Sequence, residues 1–559
     1  MKNKIMKALT RFSAINRQES INQFIQEEFD LIVIGGGATG CGIALDAASR
    51  GLKTLLLEKR DFASGTSSKS TKLIHGGLRY LKQFEIGLVR ETGTERAIVH
   101  RLASHLVLPE KMLLPIIENG TYGKLAASFG LKVYDMVAGV SGKDKRKMLS
   151  KAKALEIEPF LDESVLKGAG FYAEYRTDDA RLTIELMKTA ARYGAKALNY
   201  CKVEDFVYED GKVKAVKCTD QTSGQQFEVK AKSIVSAGGP WVDKLRKTDG
   251  SLAGKRLQLT KGVHIVVPHE RFPLKYSVYF DVPDGRMMFA IPRGKITYIG
   301  TTDTTYHGDL NRVVATREDA AYILKGVKHA FPNTDLSEKD LISNWAGLRP
   351  LIHEDGKSPS ELSRKDEIFI SDTGLISIAG GKLTGYRKMA ERIVDLVLEK
   401  YFKTLSKKST TKSITLTPNP LPNAAAVETY IQQLEQKMPE FGLSSYHAWY
   451  LTTTYGQQTE IILNKIKDFS DKDSELRLLR AELWFGVHYE MVESLADFFV
   501  RRTGRLYFDI FTINPALEVI ANDLQEYLNW EDARLVEERE RMQTLLYDAT
   551  HYYEKELVS

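Results

Sequence analysis

Hydrophobic and polar positions follow three regimes along the chain. From Phe29 to Ile34 an apolar run rich in β-branched residues predicts a buried strand. A glycine turn follows from Gly35 to Gly40, Ala38 to Arg50 reads as a helix that Gly51 ends, and Lys53 to Glu58 is a second buried strand. Strand, helix and strand within roughly thirty residues make the β-α-β unit that fits a parallel sheet. The middle of the chain then alternates. Asp178 caps a helix running to Tyr193. VEDFVYEDGKVKAVKC is a hairpin turning at Asp210 and Gly211, and SIVSAGGPW is a strand entering a glycine turn. Residues 257–302 hold several strands, with turns at Pro283-Asp284-Gly285 and Pro292-Arg293-Gly294. Arg317 to Ala330 reads as a helix, EIFISDTGLISIAGG as a hairpin turning at Asp372-Thr373-Gly374, and a helix starts near Thr384. Prolines cluster and periodicity lapses over 411–426, which predicts a linker. Beyond it the pattern is helical almost throughout.

The N-terminal end has a pattern of its own. Ile5, Leu9 and Phe12 fall at i, i+4, i+7, among Lys2, Lys4, Lys7, Arg11 and Arg17, with no acid between. One reading is a short basic helix drawn to an anionic lipid surface; another is a solvated tail or a helix docked on the body; a third is a mitochondrial transit peptide. Composition narrows the class. At 559 residues the chain is too long for one core, and its 43% hydrophobic and 27% charged content is ordinary for globular domains. No apolar run is long enough to span a bilayer or serve as a signal peptide. Cys41, Cys201 and Cys218 show neither a C-x-x-C pair nor metal-ligand spacing, so a reduced, cytosolic protein without a metal is expected. The net charge of +6 permits anionic partners. The basic cluster from Lys143 to Lys153 has little aromatic interleaving and no recognised module accompanies it, so nucleic acid is not among the expected partners.

Gly35-x-Gly37-x-x-Gly40 gains meaning from its place between a strand and a helix, with the acid Glu58 ending the next strand. Gly35 allows the tight turn, Gly37 lets a pyrophosphate approach, and Gly40 lets helix and strand pack closely. The helix start aims its unpaired N–H groups and positive dipole end at phosphates. A carboxylate at Glu58 accepts from ribose hydroxyls and repels a 2′-phosphate, which disfavours NADP. The fingerprint does not decide between FAD and NAD. The polar run after Glu58 supplies the hydroxyls of Thr66, Ser67 and Ser68 beside the pyrophosphate, though composition alone also fits a flexible loop.

Four blocks carry a resemblance. They are IGGGATGCGIALDAASRGL with Glu58; SSKSTKLIHGGLRYL; LTKGVHIVVP followed by IGTTDT; and WAGLRPL with GGKLTGYRK. In this order, across residues 31–390, the chain resembles the FAD-dependent glycerol-3-phosphate dehydrogenases. The resemblance implies an α/β fold like that of D-amino-acid oxidase: an FAD-binding Rossmann-like domain, a mainly antiparallel substrate domain and a C-terminal all-helical domain. The expected division is a basic segment at 1–28, an FAD-binding domain from 29–100, 160–245 and 340–405, and a substrate domain from 101–159 and 246–339. The linker at 411–426 and a helical domain at 427–559 complete it. The resemblance also implies oxidation of sn-glycerol 3-phosphate, quinone as acceptor, and a cytoplasmic protein peripheral on the inner face of the cell membrane, with homodimerisation left open. The oxidase branch, which uses oxygen, carries an additional insert with no obvious counterpart here. An amino-acid or amine oxidase on the same fold, or a flavin-binding sensor, are the rival classes.

Site residues follow from the same blocks. His264 is the candidate base because imidazole titrates near neutrality; the alternative is a core histidine between Val263 and Ile265. Arg349 can fork to a phosphate or steady a developing alkoxide; the alternative is a surface ion pair. Arg79 and Tyr80 carry over as phosphate ligands. Lys382 sits where a glycine turn meets a helix start, a poor place for a cation unless an anion is present. Thr302 and Asp303 are expected to line the pocket or order the strand end, with Asp303 orienting a cation. The cofactor set implied is Ile34, Gly35, Gly36, Gly37, Thr39, Gly40, Glu58, Lys59, Thr66, Ser67, Ser68, His75, Gly238, Gly381, Lys382, Leu383 and Thr384.

Overall fold

The computed structural model describes residues 12–76, 86–118, 120, 145–353, 365–405 and 407–554. Two sheets organise the chain. In the first, the strands Ile376–Gly380, Gln226–Ser236, Glu28–Ile34, Thr54–Leu57 and Lys196–Leu198 lie side by side and parallel, with Asp366–Ile370 antiparallel at one edge. Leu31, Ile32 and Val33 are buried on both faces, as a parallel sheet covered by helices requires. The helix Ala38–Ser49 lies on this sheet, against Asp179–Arg192 and Tyr386–Tyr401. Asp178 caps its neighbour, its carboxylate accepting from the amides of Ala180 and Arg181. The hairpin Cys201–Glu209 and Lys212–Asp220 turns where expected and joins the sheet through Gln226–Ser236.

The second sheet has ten strands and is mainly antiparallel. Leu257–Pro268 runs through it, with Ile296–Gly300 on one side and Ser343–Ile352 on the other. That register sets His264 opposite Trp345 and Thr260 opposite Arg349. The expected domain division needs correction here. Leu166–Arg176 and Ser343–Ile352, assigned to the FAD-binding domain, pair within the antiparallel sheet. A strand's pattern shows that it is a strand; long-range register decides which sheet takes it.

The C-terminal helices pack directly on this second sheet. Trp345 meets Tyr507 at 5.2 Å, and Tyr298, Phe498, Phe499 and Ile513 share one apolar cluster. Buried charge ties the helices to the first sheet as well. Asp61, just past the strand that ends at Glu58, accepts from Arg501 at 2.5 Å and Arg502 at 2.6 Å. Glu490 takes Arg181 at 2.6 Å and Lys188 at 2.8 Å. The linker segment is bound to the body: Leu416 donates to the Leu102 carbonyl and accepts from Thr189. The N-terminal stripe is corrected in part. Ile5 and Leu9 lie outside the described residues, but Phe12 is buried against Phe62 at 5.3 Å and so does not face lipid. Arg17 is part-buried, pairing with Asp220 and Glu493. No helix among the described residues is long and apolar enough to cross a membrane.

Candidate active site

An open channel starts at the β-α-β turn and ends at Lys382. Of the expected cofactor residues, Ile34, Gly35, Gly37, Thr39, Glu58, Lys59, Thr66, Ser67, Gly238, Gly381, Lys382 and Leu383 line it. Three others stand behind its wall. A Cβ on Gly40 would collide with the Gly35 carbonyl oxygen, so this glycine serves helix–strand contact rather than ligand contact. Gly36 packs under Phe62 and the Glu58 stem, and its amide donates to Glu58 Oε2 at 2.6 Å. Ser68 is buried, its hydroxyl turned to the Gly65 carbonyl.

The channel's chemistry suits a dinucleotide. The amides of Ala38, Thr39 and Gly40 open a helix and have no intrahelical acceptor. Ser67 Oγ takes the Ala38 amide at 3.0 Å, and a Cβ on Gly37 would come within 3.2 Å of that same oxygen, filling the cradle. Glu58 Oε1 accepts from the Arg60 amide at 2.9 Å. Burial pushes its pKa up, against the pull of the two amides and Lys59. Lys59 lies 3.7 Å over the Trp241 ring, and burial next to Arg60 lowers its pKa to about 8.

The sequence reading missed Val203 and Trp241, which also line this channel. Trp241 carried a signal, the GGPW turn after a strand. Val203 carried none, because only the pairing of Lys196–Leu198 with Thr54–Leu57 brings its hairpin to Glu58.

A second cavity shares Thr66, Ser70, Pro350, Gly381, Lys382 and Leu383 with the channel, so the two are continuous. His75, His264, Thr302, Asp303, Arg349 and Thr384 face it. The Thr384 hydroxyl bridges the His75 amide and carbonyl, 3.1 Å each, so these two join strand and turn at the chamber rather than line the channel. Arg79 and Tyr80 lie outside the described residues.

His264 meets both of its readings: it is buried in a strand, and it lines the chamber. Its ring stacks on Trp345 at 4.8 Å and 13°, with Nε2 3.0 Å from the Thr71 hydroxyl. Trp345 is itself fixed, donating Nε1–H to the Ser70 carbonyl at 3.1 Å. Nδ1 of His264 has no hydrogen-bond partner among the described residues. Burial, then Arg349 and Lys72, push its pKa well below the ordinary imidazole value, so the ring is neutral.

Arg349 is no surface ion pair. Its guanidinium lies over Gly262, where a Cβ would come within 2.6 Å of Nη2. Nη1 donates to the Thr302 carbonyl at 3.0 Å and to Asp303 at 3.1 Å, and Nη2 to the Thr301 hydroxyl at 3.0 Å. Asp303 thus orients a cation as expected. Thr302 meets both of its readings: it faces the chamber, and its hydroxyl orders the strand end by accepting from Val263 N at 3.0 Å and donating to the Lys261 carbonyl. Lys382 follows two glycines of positive φ (77° and 80°) and precedes the short helical turn Leu383–Gly385, where channel meets chamber. Tyr279, Arg286 and Phe289 complete the chamber wall and were not anticipated.

A channel running from the glycine turn of a parallel sheet into a cation-bearing chamber under an antiparallel sheet defines an FAD-dependent oxidoreductase of the D-amino-acid-oxidase fold. Comparison agrees. Residues 30–387 match the family described as FAD dependent oxidoreductase, and residues 418–535 the C-terminal domain of alpha-glycerophosphate oxidase. The chain is 46% identical over 545 residues to the aerobic glycerol-3-phosphate dehydrogenase of Bacillus subtilis (strain 168), covering 96% of this chain and 98% of that one. The Staphylococcus haemolyticus protein of the same description is 44% identical, with 96% and 98% covered. The structure of the glycerol-3-phosphate dehydrogenase from Bacillus halodurans complexed with FAD superimposes with a TM-score of 0.83 at 43% identity, covering 97% of this chain and 99% of that one. L-alpha-glycerophosphate oxidase from Mycoplasma pneumoniae, 20% identical with a TM-score of 0.55, covers 71% of this chain and 99% of its own, and shares the fold. The chain belongs to the FAD-dependent glycerol-3-phosphate dehydrogenase family, with FAD as its cofactor.

Proposed function

We propose that this enzyme oxidises sn-glycerol 3-phosphate to dihydroxyacetone phosphate and passes the electrons to a quinone, working at the inner face of the cell membrane. The observation that carries the reading is the neutral His264 beside Arg349 in a chamber continuous with the flavin channel. FAD held in that channel supplies the two-electron acceptor for the C2–H bond. Ile34, Gly35, Gly37, Ala38, Thr39, Glu58, Ser67 and Gly238 would hold it, and Lys382 to Thr384 form the wall at its chamber end.

His264 takes the C2 hydroxyl proton. A strongly depressed pKa makes imidazole a weak base, and Arg349 compensates by favouring the alkoxide. The same positive charge that disfavours imidazolium before the reaction thus makes the alcohol more acidic during it. Lys382, with Arg79 and Tyr80 by family resemblance, holds the phosphate so that the C2 hydroxyl reaches His264. Replacing His264 by alanine should lower kcat by roughly 10²–10⁴-fold, the usual contribution of a general base. A fall of less than about tenfold would show that another group takes the proton. In the intact enzyme kcat/KM should be flat through neutrality, with its acid limb displaced below the ordinary imidazole value, because the ring stays unprotonated there.

The overall reading is tested by anaerobic addition of glycerol 3-phosphate to the purified yellow protein. The flavin should bleach, then recover its colour on adding a quinone analogue faster than on admitting oxygen. Flavin that stays oxidised under substrate removes the proposal; faster recovery with oxygen replaces quinone by oxygen as acceptor.

A further inference from the structure

We propose that Arg286, on the turn between the strands Ser277–Asp281 and Met287–Arg293, is a specificity-determining cation that draws the substrate's phosphate into the chamber. This rests on the function proposed above. Arg286 lines the chamber with Asp303 and Arg349. Its geometry is unusual for a rim arginine. The guanidinium is chelated by Asp284, two residues away, through Nε at 2.8 Å and Nη2 at 2.6 Å, and the Arg286 amide donates to the same carboxylate at 3.1 Å. One face lies 4.4 Å from the Tyr322 ring centre, and the Tyr322 hydroxyl donates to Asp284 at 3.0 Å.

Side-chain exposures of 33% for Arg286 and 42% for Asp284 make this a solvated pair. Such pairs add little to stability, so holding the fold together does not account for the arrangement. What it does is fix a cation's position beside the chamber mouth while leaving it reachable by water. Asp303, which anchors Arg349, also attracts Arg286. Arg349, Asp303 and Arg286 therefore alternate in charge along the chamber wall, with Asp284 bound to Arg286 from outside that lining. A phosphate dianion arriving from solvent competes with Asp284 for a guanidinium already oriented, and so meets a low ordering cost. A neutral or zwitterionic substrate gains nothing from it, which is how such a residue selects. Charges at a rim act on encounter and salt dependence more than on the chemical step.

The test uses opposite signs. If Arg286 attracts phosphate, Arg286→Gln should raise KM for glycerol 3-phosphate by about tenfold, keep kcat within about twofold, and flatten the salt dependence of kcat/KM. The inhibition constant of inorganic phosphate should rise in parallel, and Arg286→Lys should recover most of the loss. Asp284→Asn unmasks the cation, so kcat/KM at low ionic strength should increase. A pair that only braces the turn predicts otherwise: both variants lose activity together, with no change in salt slope or phosphate inhibition. That outcome, or a KM for Arg286→Gln within about twofold of wild type, overturns the inference. If wild-type flavin is bleached by substrate, only this inference falls; if it is not, the function it rests on falls with it.

Discussion

Replacing Gly40 by valine is expected to give a protein that purifies without colour and has no measurable dehydrogenase activity. The reason is local and steric. Gly40 is the third residue of the helix Ala38–Ser49, and its α-carbon faces the carbonyl of Gly35 in the preceding turn. An added Cβ would collide with that oxygen, which is backbone and cannot swing aside as a side chain can. The helix start must lift from the turn, and with it move Ala38 and Thr39, which line the channel. Overpacking of this kind costs roughly 1–3 kcal/mol of stability, which a domain survives. Cofactor affinity suffers more, since misplacing the cradle by about 1 Å weakens every phosphate contact at once. Gly42→Ala is the control: its Cβ would meet Tyr386 at 3.0 Å and Ala390 at 3.3 Å, side-chain contacts tight by only a few tenths of an ångström rather than a collision with the turn's backbone. That variant should stay yellow. The measurement is flavin absorbance per polypeptide after gel filtration, with a circular dichroism spectrum to show that both fold. A Gly40→Val protein carrying stoichiometric flavin would refute the steric account of this glycine.

This steric logic also explains why the β-α-β unit was readable from sequence. Its constraints act over a few residues: Gly35 has a φ of 115°, and a Cβ on Gly40 would collide with the carbonyl oxygen of Gly35 just before it. The hairpin at Asp210 and Gly211 was readable for the same reason, since both residues take positive φ (49° and 70°), the signature of a two-residue turn. So was the helix Arg317–Ala330, which Thr316 and Asp319 close with a capping box.

What escaped the reading depends on partners far away in sequence. His264 gains its stacked Trp345 and its repelling Arg349 only through the register of Leu257–Pro268 on Ser343–Ile352, some eighty residues apart. A pattern of apolar residues cannot state that register. Arg501 and Arg502 reach one carboxylate, Asp61, although neighbours on an α-helix point about 100° apart. They do so because Asp497–Arg502 forms a π-helical turn, which helical periodicity does not predict. Phe12 fits a lipid-facing stripe by spacing, yet packs on Phe62, which stands beyond the second strand of the β-α-β unit. Amphipathic spacing marks a face that will be covered and leaves its cover unnamed.

Arg349→Lys carries the second large effect and separates charge from shape. In the native site the guanidinium is held by three donations at once, to the Thr301 hydroxyl, the Thr302 carbonyl and Asp303. Its plane over Gly262 is thereby fixed before substrate arrives. Lysine keeps the positive charge but offers a single tetrahedral donor group on a flexible stem. It can satisfy Asp303 or reach the developing alkoxide, and has no second arm for the other. Loss of one preorganised donor at a developing oxyanion costs about 10²–10³ in rate, so kcat/KM should fall by about that factor. The pH profile should not move, because the charge that depresses the His264 pKa remains. Arg349→Gln behaves differently. It removes that charge, so the acid limb of the profile should shift upward toward the ordinary imidazole value while the rate falls further. It also removes the guanidinium that pairs with Asp303 at 3.1 Å, and a lower melting temperature should accompany it. A lysine variant whose rate holds within about threefold of wild type would mean that the fork has no role in the transition state. An acid limb unmoved in the glutamine variant would mean that Arg349 and His264 do not share the electrostatic site that their geometry describes.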